Sequence, residues 1–148
     1  MNNICTFFGH RDCPHTLKPL LQQVLIHLIE QHAVTVFYVG RQGAFDAIAC
    51  TVLQELTLKY PSISYAIVLE KPPGIAEHFN GIHTILPECV ETAPPRYAIS
   101  RRNDWMLRQA DYVITYITHT WGGAAHFAQK ARRQNKTVIN LTDLPHPL

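Results

Sequence analysis

Short apolar runs of β-type residues alternate with helical patterns along almost the whole chain. Five runs are rich in β-branched or aromatic residues and contain no internal Gly or Pro, namely residues 4–8, 34–39, 65–69, 112–117 and 137–141. Between them apolar residues recur at three- and four-residue spacings, as at Leu21, Leu25 and Leu28. Alternation of this kind predicts a parallel sheet whose two faces are both covered by helices.

The predicted fold class is therefore α/β, a single Rossmann-like, doubly wound and mainly parallel sheet of about five strands. A chain of 148 residues that is 47% apolar suits one domain over residues 1–148. Residues 71–95 interrupt the alternation with five prolines, and only 83–86 there resemble a short strand. We predict a long excursion at the sheet edge, followed by a helix from about residue 97 to residue 109.

Charge and cysteine content limit the classes of partner. The formal net charge is +2 and no block of like charges is present, which argues against nucleic acid as the partner. No signal peptide and no membrane-spanning apolar run can be recognised, so we expect a cytoplasmic protein that does not bind membranes. The spacing of Cys5, His10, Cys13 and His15 matches neither a zinc finger nor a ribbon. We expect no metal and no cofactor.

The first of two glycine-bearing turns joins the run 34–39 to a helix. Gly40 and Gly43 leave room for a ligand close to the backbone, and Arg41 adds a cation. Asp46, in the first helical turn, could accept a ribose hydroxyl or act on an anomeric carbon, or it could only complement the helix dipole. The spacing is neither the dinucleotide fingerprint nor a P-loop.

The second glycine turn follows the run 112–117 and contains Thr120, Trp121, Gly122 and Gly123. A glycine turn that opens a helix leaves backbone N–H groups free beside the positive end of the helix dipole, so phosphate or carboxylate is the expected guest. Trp121 could stack on a base or simply pack against the protein. A tight strand-to-helix connection explains the glycine pair equally well.

A third loop, which contains Gly9, His10 and Arg11, follows the first strand. The imidazole of His10 could hydrogen-bond a phosphate or a ligand hydroxyl. All three loops lie at the carboxyl ends of predicted strands. Because doubly wound sheets bind ligands beyond those ends, we expect the loops to converge on one crevice.

The predicted helix 97–109 carries polar side chains on an apolar face. Ile99, Arg102, Asn103 and Met106 share that face because they lie 3, 1 and 3 residues apart. If the face points inward, its polar groups need partners. Arg102 and Asn103 would then contact a ligand or pair with Asp46 or Asp111.

Taken in order, these motifs resemble the SLOG superfamily, the Rossmann-like group that includes the Lonely Guy phosphoribohydrolases and the DNA-processing protein A. They are similar to those of small bacterial and phage members of unassigned function, which begin with a Phe-Thr-Gly-His-Arg-like motif, here residues 6–11. A second signature, a glycine turn with Phe-Asp and a helix ending near Tyr-Pro, is similar to residues 40–46 and 59–61. A third looks like the Arg-Asn-x-x-Met helix at 102–106, the aspartate at 111 and the glycines at 122–123.

The resemblance implies a nucleotide-binding fold and a homo-oligomer, without indicating the interface. Lonely Guy enzymes carry a Pro-Gly-Gly-x-Gly-Thr-x-x-Glu stretch whose glutamate serves catalysis. Residues 121–129 here read Trp-Gly-Gly-Ala-Ala-His-Phe-Ala-Gln, without the Gly-Thr and the glutamate. This departure argues against phosphoribohydrolase activity by the known route, and kinship of fold does not by itself fix function.

We therefore predict a domain that binds a nucleotide or a nucleotide-derived, ADP-ribose-like ligand for sensing or sequestration. The candidate ligand-binding residues are Gly9, His10, Arg11, Gly40, Arg41, Gly43, Asp46, Arg102, Asn103, Thr120, Gly122 and Gly123. The alternative is a hydrolase or transferase that acts on N-glycosidic bonds of nucleotides, with Asp46 as its catalytic carboxylate. Binding of single-stranded DNA is a weaker alternative, because it would need a basic groove.

Overall fold

The protein contains a six-stranded sheet in which every pair of neighbouring strands is parallel, as seen in a computed structural model that describes residues 3–79 and 81–145. The strands are β1 (Ile4–Gly9), β2 (Val36–Val39), β3 (Ser64–Val68), β4 (His83–Ile85), β5 (Tyr112–Tyr116) and β6 (Thr137–Asn140). Their order across the sheet is β4-β3-β2-β1-β5-β6. The predicted Rossmann-like α/β class is confirmed. The sheet has one strand more than the five expected, because residues 83–85 pair with β3 at its edge.

Five α-helices connect the strands over the described residues. They are α1 (Lys18–His32), α2 (Gly43–Lys59), α3 (Glu88–Glu91), α4 (Ala98–Gln109) and α5 (Gly123–Arg133). Short 3₁₀ turns at His15–Leu17, Pro95–Tyr97 and Leu141–Asp143 lead into α1, into α4 and out of β6. The predicted excursion between β3 and α4 thus contains the edge strand β4 and the one-turn helix α3.

The sheet is covered on both faces, and β1 shows how. Phe7 belongs to one apolar cluster together with residues of α1 and α2, whereas its neighbour Phe8 belongs to a second cluster with residues of α4 and α5. Successive side chains of a strand point to opposite faces, so the two clusters lie on opposite sides of the sheet. A strand buried on both faces must be apolar throughout, which explains the continuous apolar runs of the sequence.

The strand order reverses its direction beside β1. The chain builds β2, β3 and β4 outward on one side of β1, then returns to place β5 on the other side. The backbone N–H of His10 donates to the carbonyl of Tyr116 at 3.2 Å, so β1 and β5 stay joined up to their carboxyl ends. The connections leave these ends in opposite directions, and a crevice opens between them.

Two further properties of the described residues concern membranes and thiols. None of the helices is both long and apolar enough to cross a bilayer. The four cysteines are free thiols, and Cys5 is fully buried within β1. Burial raises the pKa of the Cys5 thiol, so it stays protonated inside the core.

Gly9 tests the packing at the end of β1, because a Cβ atom there would lie 2.2 Å from the ring of Phe45. Phe45 is itself fully buried and cannot move aside. We expect Gly9→Ala to lower the free energy of unfolding by about 2 kcal/mol through overpacking. The matched control is Gly123→Ala, where a Cβ would meet no such atom within 4 Å, and its change should stay within about 0.5 kcal/mol. Equal losses in urea unfolding would contradict this packing.

Candidate functional site

A cleft of about 540 Å³ lies at the crevice between β1 and β5, within the size range of small-molecule sites. Its walls come from the loop after β1, the amino end of α2, the helix α4 and the loop before α5. The candidate residues that line it are Gly9, His10, Arg11, Asp46, Arg102, Asn103, Gly122 and Gly123. Gly40, Arg41, Gly43 and Thr120 are not among the described residues of its wall.

The first glycine turn is closed by the protein's own groups. The backbone N–H of Gln42 donates to Oδ2 of Asp46 at 2.8 Å, and that of Ala44 donates to the carbonyl of Arg11 at 2.8 Å. Gly43 has φ of +87° and packs so tightly that a Cβ would lie 2.7 Å from Cα of Arg11. Two N–H groups at the amino end of α2 are therefore already satisfied before any anion arrives.

Arg41, in the same turn, is held by carboxylates. Its Nε donates to both carboxylate oxygens of Glu70 at 3.0 and 3.1 Å, and Nη1 pairs with Glu77. Its guanidinium also lies 5.7 Å from the centre of the Phe79 ring. Arg41 thus fastens the segment that follows β3. These contacts give Arg41 a structural role. Its contact with a ligand remains a prediction.

The second glycine turn is open. Gly122 has φ of +95°, both Gly122 and Gly123 are exposed, and no side chain caps the amino end of α5 within the described chain. A Cβ at either glycine would meet no atom within 4 Å beyond its chain neighbours. Gly122, Gly123 and Ala124 line the cleft, so the uncapped amino end of this 11-residue helix and the positive end of its dipole lie at the cleft wall. The two turns, alike in sequence, differ in their capacity for an anion.

Arg102 projects from α4 into the protein and is only 2% exposed. Its Nε donates to Oδ1 of Asn103 at 2.9 Å, and its Nη1 donates to the carbonyl of Val68 at 3.2 Å and approaches Oε2 of Glu70 at 3.5 Å. Burial raises the pKa of Glu70, but the hydrogen bond from Arg41 and the charges of both arginines outweigh it and hold that pKa below its usual value. A buried cation is thus balanced by a buried carboxylate.

Gly40 makes this arrangement possible. A Cβ at residue 40 would lie 2.9 Å from Nη1 of Arg102 and 3.0 Å from Oδ2 of Asp46. The glycine therefore gives room to two side chains of the protein itself, those of Arg102 and Asp46. Sequence reasoning expected a close approach of the backbone here, and the structure shows that side chains of this chain make it.

Asp46 combines a structural and a chemical property. It caps α2 through Gln42, is 9% exposed, and lines the cleft. Burial raises the pKa of its carboxyl to about 6, although the hydrogen bond from Gln42 and the positive charges of Arg102 and Arg11 oppose the rise. A carboxyl that titrates close to neutral pH beside a cleft is typical of ligand-binding and catalytic sites.

The loop between β5 and α5 is organised by three stacked rings. The His10 and His119 rings lie 3.6 Å apart at 13°, and the His119 and Trp121 rings lie 3.8 Å apart at 18°. Nε2 of His10 accepts hydrogen bonds from the backbone N–H of Thr118 at 3.0 Å and of His119 at 3.4 Å. Burial and the charge of His119 lower the pKa of His10, which favours the neutral ring that these bonds require. His10 therefore positions the loop.

Sequence reasoning missed two residues that shape the site, Glu70 and His119. Glu70 directly follows the predicted strand 65–69, and His119 follows the strand 112–117. Both lie just past the carboxyl end of a parallel strand, and His10 was predicted as a site residue because of the same kind of position. That signal was available in the sequence, but it does not distinguish a residue that supports a site from a loop residue on the surface.

Neither the models of known protein families nor the curated proteins include a match to this chain. What the cleft can bind therefore follows from its own charges and shape. Within residues 3–79 and 81–145 no three His, Cys, Asp or Glu side chains are grouped so as to hold a metal ion.

Asp46 should make the protein less stable as pH rises. Its pKa is about 6 in the folded protein against an ordinary 3.8, so the folded state holds an additional proton between these values. The stabilisation is complete below about pH 4 and is lost as the pH passes 6, on the order of 3 kcal/mol. Asp46→Asn keeps an oxygen for Gln42 but cannot titrate. The difference in free energy of unfolding, wild type minus variant, should fall by that amount between pH 4 and pH 8, and a constant difference would contradict the burial of this carboxyl.

Proposed function

We propose that this chain is a SLOG-type domain that binds a nucleotide or nucleotide-derived ligand, of the ADP-ribose kind, for sensing or sequestration. One observation carries the proposal: the uncapped amino end of α5 and the guanidinium of Arg11 line the same cleft as Asp46 and Asn103. The first pair suits phosphate oxygens, and the second suits ribose hydroxyls. The cleft lies where the strand order reverses, which is where doubly wound sheets hold nucleotides.

The phosphate end of the ligand would lie between α5 and Arg11. Arg11 is exposed, and its Nη2 lies 3.5 Å from Oε1 of Gln42, too far for a firm hydrogen bond. Its side chain is therefore free to turn toward an anion and to make a bidentate contact. The buried Arg102 adds positive charge to the cleft wall, but its guanidinium already donates to Val68 and Glu70.

The base of the nucleotide would stack on Trp121. One face of this indole is covered by His119, and the side chain is 69% exposed at the rim of the cleft. A large exposed aromatic ring that is fixed by its neighbours offers a planar surface without further loss of side-chain entropy. Stacking of this kind tolerates different bases, because every base has a π-face.

A nucleotide N-glycosidase is the second candidate, and the raised pKa of Asp46 favours it. A carboxylate beside the anomeric carbon would stabilise the oxocarbenium-like transition state or attack that carbon. Residue 129 is Gln, where the Lonely Guy stretch has its catalytic Glu, so this route would depend on Asp46 alone. We therefore place binding before hydrolysis.

Calorimetric titration with ADP tests the binding proposal. We expect wild type to bind ADP, and Arg11→Gln to weaken that affinity about tenfold by removing a charge-assisted contact to phosphate. Arg101→Gln is the matched control, because Arg101 is exposed on α4 and is not among the described residues that line the cleft. Wild type that binds neither ADP nor any other nucleotide would refute the proposal.

An assay for free adenine distinguishes binding from catalysis. Incubation with AMP, ADP and ADP-ribose should release no free adenine. Release of adenine that disappears in Asp46→Asn would instead establish the glycosidase. Binding of single-stranded DNA that weakens steeply with salt would favour the nucleic-acid alternative, which the balanced charge of the chain does not support.

A further inference from the structure

A second groove of about 700 Å³ adjoins the cleft at the amino end of α4. Gln42 and Ile99 line both cavities and so mark the junction between them. The second groove runs from this junction past the carboxyl ends of β3 and β4 toward α3. A ligand in the first cleft could therefore extend into the groove without leaving the protein surface.

The second groove is mostly apolar. Leu86, Val90 and Ala98 contribute to its lining, together with proline rings. Ile99 is 40% exposed at the junction, although its spacing places it on the same face of α4 as the buried Arg102 and Met106. An exposed apolar side chain between two cavities is a contact surface for a ligand that spans them.

The two cavities differ in where their cations lie. The first cleft has the guanidinium groups of Arg11 and Arg102 and the open amino end of α5 beside the carboxyls of Asp12 and Asp46. The second groove has two carboxylates and one ammonium group, those of Glu70, Glu91 and Lys71. Phosphate therefore belongs in the first cleft. A ring with N–H donors, uncharged or cationic, suits the second, where Glu91 and the amide oxygen of Gln42 can accept from it.

We propose that the ligand is bipartite: its phosphates occupy the cleft between β1 and β5, and an uncharged or cationic ring crosses Ile99 into the second groove. This inference rests on the proposed function. It narrows the ligand to the dinucleotide class, in which a diphosphate joins two ring-bearing halves.

Two probes and two matched variants test it. Pyrophosphate has no ring and reports the first cleft alone, whereas NAD carries two rings. Ala93 lines the second groove and not the first cleft, so Ala93→Trp narrows the groove alone. Ser100→Trp adds the same side chain at an exposed position outside the described lining of both cavities. We expect Ala93→Trp to weaken NAD about tenfold, the cost of one lost ring contact, and to leave pyrophosphate unchanged. Ser100→Trp should change neither affinity.

A second variant keeps the test valid if Ala93→Trp fails to fold. Glu91→Lys changes an exposed residue and reverses a charge of the groove, so it should weaken NAD severalfold while pyrophosphate binds as before. If both variants leave the NAD affinity intact, the inference is overturned while the proposed function stands. If wild type binds ADP but not NAD, the inference is overturned while the proposed function stands. If wild type binds no nucleotide at all, both fail. Sedimentation of a wild-type dimer that Ala93→Trp separates would assign the groove to a second copy of the chain, which also overturns the inference.

Discussion

A guanidinium taken out of water holds the candidate site together. Burying an unpaired charge costs many kcal/mol, so Arg102 can lie inside the protein only because other groups compensate it. Its partners are the carbonyl of Val68 at the end of β3 and the carboxylate of Glu70 just beyond it, and the negative charge of Asp46 on α2 acts on it without a hydrogen bond. Gly40 at the end of β2 gives the space. One cation thereby fastens α4 to the carboxyl end of β3 and to the residue segment that follows it.

This arrangement explains why two similar glycine turns behave differently. The turn after β2 lies beside the buried charges, and its amide groups are consumed by Asp46 and by the carbonyl of Arg11. The turn after β5 lies on the other side of the reversal in strand order, where the stack of His10, His119 and Trp121 supports the loop and leaves the amino end of α5 open. The cleft therefore has one closed wall that supplies a carboxyl and one open wall that suits an anion.

The sequence predicted the fold better than the site, for a physical reason. Strands buried on both faces must be apolar, so most of the sheet could be predicted, and only the three-residue edge strand β4 was ambiguous. A glycine in a turn, in contrast, indicates that some group approaches the backbone closely, but it does not indicate whether that group is a ligand or a side chain of the protein. Gly40 makes room for Arg102, and Gly43 for Arg11, where a ligand was expected. The burial of Arg102 was a sound inference from helical spacing, because a polar residue on an inward face must find a partner.

The amide resonances of the two turns show whether the turn before α5 is the open anion site. On addition of ADP to ¹⁵N-labelled protein, we expect the N–H signals of Gly123 and Ala124 to shift, because no side chain caps these groups and they can donate to phosphate. The signal of Ala44 should stay in place, because its N–H already donates to Arg11. Shifts at Gln42 and Ala44 with Gly123 and Ala124 unmoved would contradict the account.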